Sequence, residues 1–157
     1  MAILKSIDGT PPYPIKIQAL SGGIASGFFA LLLGASWLDF IAALLTSILV
    51  TYSIHRLRRI NFNLFVTNIA GGCIAALAAV IFSTLHPSIS LDKVIIGAIM
   101  VMVPGVAMTN AIRDSIAGDL VSGLARGAEA LLIAISIAFG VGFVLQSLIF
   151  LKGGNLL

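Results

Sequence analysis

The sequence predicts an all-α membrane protein, a bundle of about five transmembrane helices with the N-terminus in and the C-terminus out. Three observations carry that expectation. Hydrophobic residues fill 59% of the 157 positions and charged residues only 10%, against about 25% charged in an average soluble domain. With 9 basic and 6 acidic side chains, a particle of this size cannot cover itself against water. Five uncharged runs come close to the roughly 20 residues that a helix needs to cross the hydrocarbon core. The runs are continuous and rich in Ala, Leu and Ile, whereas barrel strands alternate polar and apolar residues. A soluble domain, a disordered tail and a disulfide scaffold are excluded, and the net charge of +3 arises from few charges rather than a basic face, which argues against a nucleic-acid partner.

The elements follow in order. Residues 1–14 are a short cytoplasmic N-terminus, 15–152 the transmembrane domain and 153–157 a C-terminal tail. The first span is expected at 17–36, within the uncharged run between Lys16 and Asp39. A signal peptide is disfavoured because the apolar part exceeds a usual h-region and four spans follow. The second, at 37–54, is short and begins on Trp37 and Leu38; the third is expected at 62–85. The fourth, at 94–112, carries Pro104-Gly105 near its middle. Proline removes a helical N–H and clashes with the preceding turn, and glycine tolerates unusual dihedrals, so the helix should break there. The fifth, at 130–151, starts where Glu129 ends the last cluster of charge.

Orientation follows from Lys and Arg. With the N-terminus inside, Lys5, Lys16, Arg56, Arg58, Arg59, Arg113 and Arg126 lie in the cytoplasm, and Lys93 and Lys152 outside. The cluster Arg56-Leu57-Arg58-Arg59 reads as a topology anchor rather than a ligand site. Five spans also mean that a homologous second half following in sequence would insert upside down, the inverted-repeat plan of many transporters. The chain therefore reads as half of a machine, completed by a second five-span subunit of inverted topology or by self-association. Small residues recur at helix-packing spacing: Gly23 with Gly27, Gly72 with Ala76, Gly123 with Gly127. Packing within the bundle is the preferred reading of these pairs, a subunit interface the other. Cys73 stands alone, no Cys/His cluster has metal-ligand spacing, and His55 and His86 fall at span ends.

The informative segment is Val103 to Glu129. A helix broken in lipid must turn its freed carbonyls toward protein or a watery cavity, and transporters bind substrates at such breaks. Thr109 and Asn110 precede Arg113 and Asp114 by one turn. Asp119 follows Gly118, and Ser122, Arg126 and Glu129 continue at helical spacing. Five of the charges fall within these 17 residues, Arg113 to Glu129. Each would cost at least about 2.5–3.5 kcal/mol at bilayer centre, so they must pair, face water or sit at the interface. A bare cytoplasmic loop is the competing reading; the alternating signs and the absence of proline oppose it.

Val-Pro-Gly-Val-Ala-Met-Thr-Asn-Ala-Ile-Arg-Asp, then Gly-Asp-Leu-Val-Ser-Gly-Leu-Ala-Arg and Glu129, resembles the motif of the threonine/serine exporter (ThrE-like) family, in its YjjP-type larger membrane subunit. The Pro-Tyr-Pro before the first span and Gly-Ala-Ser-Trp-Leu-Asp after it also fit, and the resemblance covers roughly Pro12 to Phe150. It implies a secondary transporter of the bacterial inner membrane that exports small hydrophilic metabolites such as threonine, serine or dicarboxylates, on a five-plus-five span plan. Members of this type usually carry a hydrophilic cytoplasmic segment before the first span, whereas this sequence starts almost at that span.

The expected mechanism is alternating access. Pro104 and Gly105 open a polar cavity toward the cytoplasm. Arg113 and Arg126 hold a substrate carboxylate through paired guanidinium donors. Thr109, Asn110 and Ser122 bond hydroxyl or ammonium groups. Asp114, Asp119 (next to Gly118 in the site motif) and Glu129 pair with the arginines or carry coupling protons. Internal salt bridges such as Arg126 with Glu129 are the structural alternative. A non-transporting scaffold subunit is the second functional reading, and an intramembrane hydrolase the weakest, since metal, Ser/His and phosphate-loop motifs are lacking. No cofactor, metal or catalytic residue is expected.

Overall fold

A computed structural model describes residues 13–151. The expectations for the N-terminal segment with Lys5 and Pro12, and for the tail with Lys152, lie outside the described residues. The described residues form α1 (Ile15–Leu32), α2 (Trp37–Arg59), α3 (Leu64–Leu85), α4 (Leu91–Ile99) with a 3-10 turn at Met100–Met102, α5 (Gly105–Ile116) and α6 (Leu120–Leu151). Among them α1, α2, α3 and α6 are each long and apolar enough to cross a membrane; α4 with its 3-10 turn and α5 pass the same test only as a pair, bent by 60° at the break, as a broken span or a re-entrant loop does.

Helix ends are set locally. Gly34, Asn61 and Gly118 have positive φ and close α1, α2 and α5 with the same pattern. Ala35 N donates to Ala30 O, Phe62 N to Leu57 O and Asp119 N to Asp114 O. This satisfies carbonyls that a helix end leaves orphaned. Ser36 and Asp39 start α2 with a reciprocal capping box. The Asp39 carboxylate, 1% exposed, also accepts from Ser90 N at 2.7 Å, while Lys93 Nζ donates to Gly34 O. These bonds tie the α1–α2 turn to the start of α4.

The interior inverts the plan of a soluble protein. Its core is largely alanine, with Ala30, Ala43, Ala76, Ala79 and Val94 fully buried, and Leu, Ile and Phe cover the outside. Lipid provides no hydrophobic drive between helices, so close backbone approach must hold them together. A Cβ on Gly23 would meet Leu44 O at 3.0 Å, and one on Gly27 would meet the Phe40 ring. A Cβ on Gly72 would stand 2.5 Å from Ile137 O, and Gly140 faces Ile69 O across the same crossing. The Gly23/Gly27, Gly72/Ala76 and Gly123/Gly127 pairs thus serve packing inside the chain. Ser26 Oγ also donates to Ser47 Oγ at 2.9 Å between α1 and α2.

The α3–α6 contact has a direction. Gly72 meets Ile137, while Ala76 and Ala79 pack with Val144, so the two helices run parallel. The 32 residues of α6 extend about 48 Å, against about 30 Å of hydrocarbon. Its first turns reach past the start of α3, and α5 packs along them rather than on the other helices. The fifth helix thus starts at Leu120, ten residues before the expected 130. Arg126 and Glu129 end an uncharged run, but nothing in the backbone needs to stop at a charge.

Candidate functional site

Pro104 breaks the fourth span by the expected chemistry. Val103 is pushed to extended backbone, φ −61° and ψ 128°, as the residue before proline generally is. Pro104 itself, at φ −79° and ψ 55°, centres an inverse γ-turn closed by Gly105 N donating to Val103 O at 2.8 Å. Met100 O receives Val103 N at 3.3 Å, and Pro104 has no N–H to give to the preceding turn.

Beyond the break, α5 and the first turns of α6 form a hairpin. Gly118, φ 88°, ends one helix and Asp119 starts the next. Asp119 O accepts from Gly123 N and its Oδ1 from Ser122 N at 3.2 Å, the geometry of an N-cap. The Ser122 side chain and backbone N–H, with the Arg126 charge, hold the Asp119 carboxyl below the ordinary carboxylate value. The helices close on Gly123, where an added Cβ would stand 3.0 Å from Ala111 O.

The hairpin has two faces. Ile112, Ile116, Leu124 and Leu131 surround an open apolar groove. On another side Arg126 Nε meets Asp114 Oδ2 at 3.0 Å, the one ion pair among the described residues. The site residues therefore divide. Asp114, Asp119, Ser122 and Arg126 come together around the Gly118 turn. Arg113 and Glu129 are exposed and join no ion pair among the described residues. Thr109 Oγ1 returns to Gly105 O at 2.8 Å, and Asn110 is half-buried. Arg126 pairs with Asp114 rather than Glu129, so its guanidinium is already partly neutralised.

A polar cavity of about 250 Å³ lies on the bundle side of the break, against Val101 and Met102. Its polar lining is Gln18 from α1, Thr51, His55 and Arg58 from α2 and Asn68 from α3; residues 109–129 do not line it. Arg58 makes no ion pair among the described residues, and Asn68 Nδ2 is buried with no hydrogen-bond partner. Sequence reasoning missed this group by taking the basic cluster as an anchor alone. Two signals were available: Thr51, His55 and Arg58 share a helix face at i, i+4, i+7, and Asn68 is the sole side-chain amide in α3, whose other polar side chains are hydroxyls and one thiol. Among the described residues no group of three His, Cys, Asp or Glu side chains is placed to hold a metal ion.

A family model described as "Putative threonine/serine exporter" matches residues 1–148. The "Threonine/serine exporter" of Corynebacterium glutamicum is 29% identical over 149 residues, covering 92% of this chain and 30% of that protein. The "Probable threonine/serine exporter" of Mycobacterium tuberculosis is 32% identical over 131 residues, covering 83% of this chain and 24% of that protein. The chain spans less than a third of the length of these curated relatives. No solved structure matches it.

Proposed function

The chain belongs to the threonine/serine exporter family, and from that premise we propose that it is one half of a secondary transporter. Its cargo is a small hydrophilic metabolite, an amino acid such as threonine or serine or a dicarboxylate, exported across the bacterial inner membrane. The observation that carries this reading is the break at Val103-Pro104 between two polar features, the cavity on the bundle side and the hairpin beyond. Proline at the break leaves the preceding turn one N–H short, and such a broken helix is tolerated in a membrane where it faces protein or a water-filled path, the plan many transporters use.

In this reading the α5–α6 hairpin moves about the break. Arg113, Asn110 and Thr109 border the path, and the pair Asp114–Arg126 is a latch that opens when the carboxylate takes a proton. Asp119 caps the second helix of the same hairpin and Glu129 stands exposed on it; in this reading export is coupled to the proton gradient. The basic end Arg56–Arg59 lies in the cytoplasm, and a second half of inverted topology completes the machine. The test is counter-flow in vesicles holding this chain with and without the remaining part of the exporter. Labelled threonine, serine and succinate are loaded in turn under a pH gradient. Flux of at least one solute, dependent on this chain, is expected; no flux of any of them with both halves present overturns the proposal.

A further inference from the structure

We propose that the cavity beside the break is a binding site for a small carboxylate-bearing solute, with Arg58 as its anion anchor. The inference rests on the export reading and names the site where cargo is held. At about 250 Å³, the cavity falls just below the roughly 300–1,000 Å³ of drug-sized pockets and equals about eight waters at ~30 Å³ each. That suits a solute the size of one amino acid.

Charge distinguishes this place from the hairpin. Arg126 already faces Asp114 at 3.0 Å, whereas the cavity has a guanidinium and, among the described residues, no acidic side chain in its lining. A guanidinium offers a carboxylate two parallel donors. Asn68 is the second, independent sign of a ligand. It is 4% exposed, lines the cavity, and its Nδ2 has no hydrogen-bond partner among the described residues. A buried donor left unmade costs about 1–3 kcal/mol, and turning the amide so that its nitrogen meets a polar solute in the cavity removes that cost. Thr51 Oγ1, which donates to Ser47 O, and Gln18, whose Nε2 donates to Tyr13 O, add acceptors for a hydroxyl. Val101 and Met102, next to the break, complete the lining.

The experiment measures binding of L-threonine, L-threoninamide and succinate to the whole chain in phosphatidylcholine nanodiscs, with counter-flow followed in parallel in vesicles holding the complete exporter. Threonine should bind, and threoninamide, which lacks the carboxylate, at least tenfold more weakly. Arg58→Gln should weaken threonine binding at least tenfold. Asn68→Ala should weaken it several-fold while raising the melting temperature of the ligand-free protein, because an unpartnered buried amide is removed; that rise separates lost binding from lost folding. Arg59→Gln, outside the cavity, should bind as the parent does. Counter-flow that persists with threonine affinity unchanged in both Arg58→Gln and Asn68→Ala overturns the cavity assignment and leaves the export reading standing. Absence of both binding and counter-flow overturns the two together. Displacement of threonine by phosphatidylglycerol added to the nanodiscs, with equal affinity for threoninamide, assigns the cavity to a lipid phosphate and overturns the proposal.

Discussion

Alanine at Gly140 tests whether α3 and α6 are held by backbone contact. A methyl there would press on Ile69 O, with Cys73 N at 3.0 Å, and the mirror change at Gly72 would press on Ile137 O at 2.5 Å. Ordinary contact lies at about 3.5–4.0 Å, so the helices must part by about 1 Å, because no side chain can rotate out of the way. Overpacking of this kind costs about 1–3 kcal/mol, and parting also stretches the Cys73 Sγ–Gly140 O hydrogen bond, now 3.3 Å. Against this stands the helix-propensity gain of Gly→Ala, at most about 1 kcal/mol. The expected net loss for Gly140→Ala is about 1–2 kcal/mol. Gly142, two residues on, has nothing within 4 Å of an added Cβ and feels the propensity gain alone, so Gly142→Ala should be neutral or slightly stabilising. The Gly72/Gly140 double variant should lose less than the sum of its parts, since parted helices accommodate the second methyl. Unfolding in detergent micelles, followed by fluorescence of the chain's one tryptophan, Trp37, measures all four. Equal midpoints for Gly140→Ala and Gly142→Ala would refute the reasoning.

Other outcomes follow from the same structure. Asp39→Ala removes an acceptor of Ser36 N, Ser36 Oγ and Ser90 N; with charge-assisted bonds at about 1.5–3 kcal/mol each and strongly non-additive, the unfolding free energy should fall by about 2–4 kcal/mol, with faster hydrogen exchange at Ser90. The Asp119 cap titrates with a defined sign. Its folded carboxyl is depressed by Ser122 and Arg126, so its contribution is full above the ordinary carboxylate value near ~3.9 and is lost as pH falls through the lower folded value. Amide exchange at Ser122, corrected for its intrinsic pH dependence, should lose protection in that acid window, and Asp119→Asn should abolish the step. In a double-mutant cycle, the half-exposed Asp114–Arg126 pair should give a coupling to stability of about 0.2–1 kcal/mol, a magnitude suited to a latch that must open.

Much of the architecture is written in the residue pattern, because lipid imposes a simple rule on it. Each uncharged run of sufficient length became a helix, and Pro104 broke the fourth through the loss of one N–H. The start of α6 escaped the pattern because the absence of charge measures what lipid accepts, not where a backbone stops coiling. Gly118 and Asp119, a helix stop followed by a cap, were the better signal. The pairing of Arg126 with Asp114 instead of Glu129 depended on the close approach of α5 at Gly123, a tertiary fact. The cavity depended on three helices converging: Gln18, Thr51, Arg58 and Asn68 are far apart in sequence, and the neighbouring Arg56 and Arg59 masked Arg58 as one more topology charge.

The most direct measurement of the central claim is proton-driven threonine counter-flow through vesicles holding the complete exporter. Wild type is compared with Asp114→Asn, Arg126→Gln and the exchanged pair Asp114→Arg/Arg126→Asp. Flux in the wild type, loss of at least tenfold in each single variant and partial recovery in the exchanged pair are the predicted results. Wild-type flux in both single variants would contradict the account, because the hairpin beyond the break would then take no part in moving the solute.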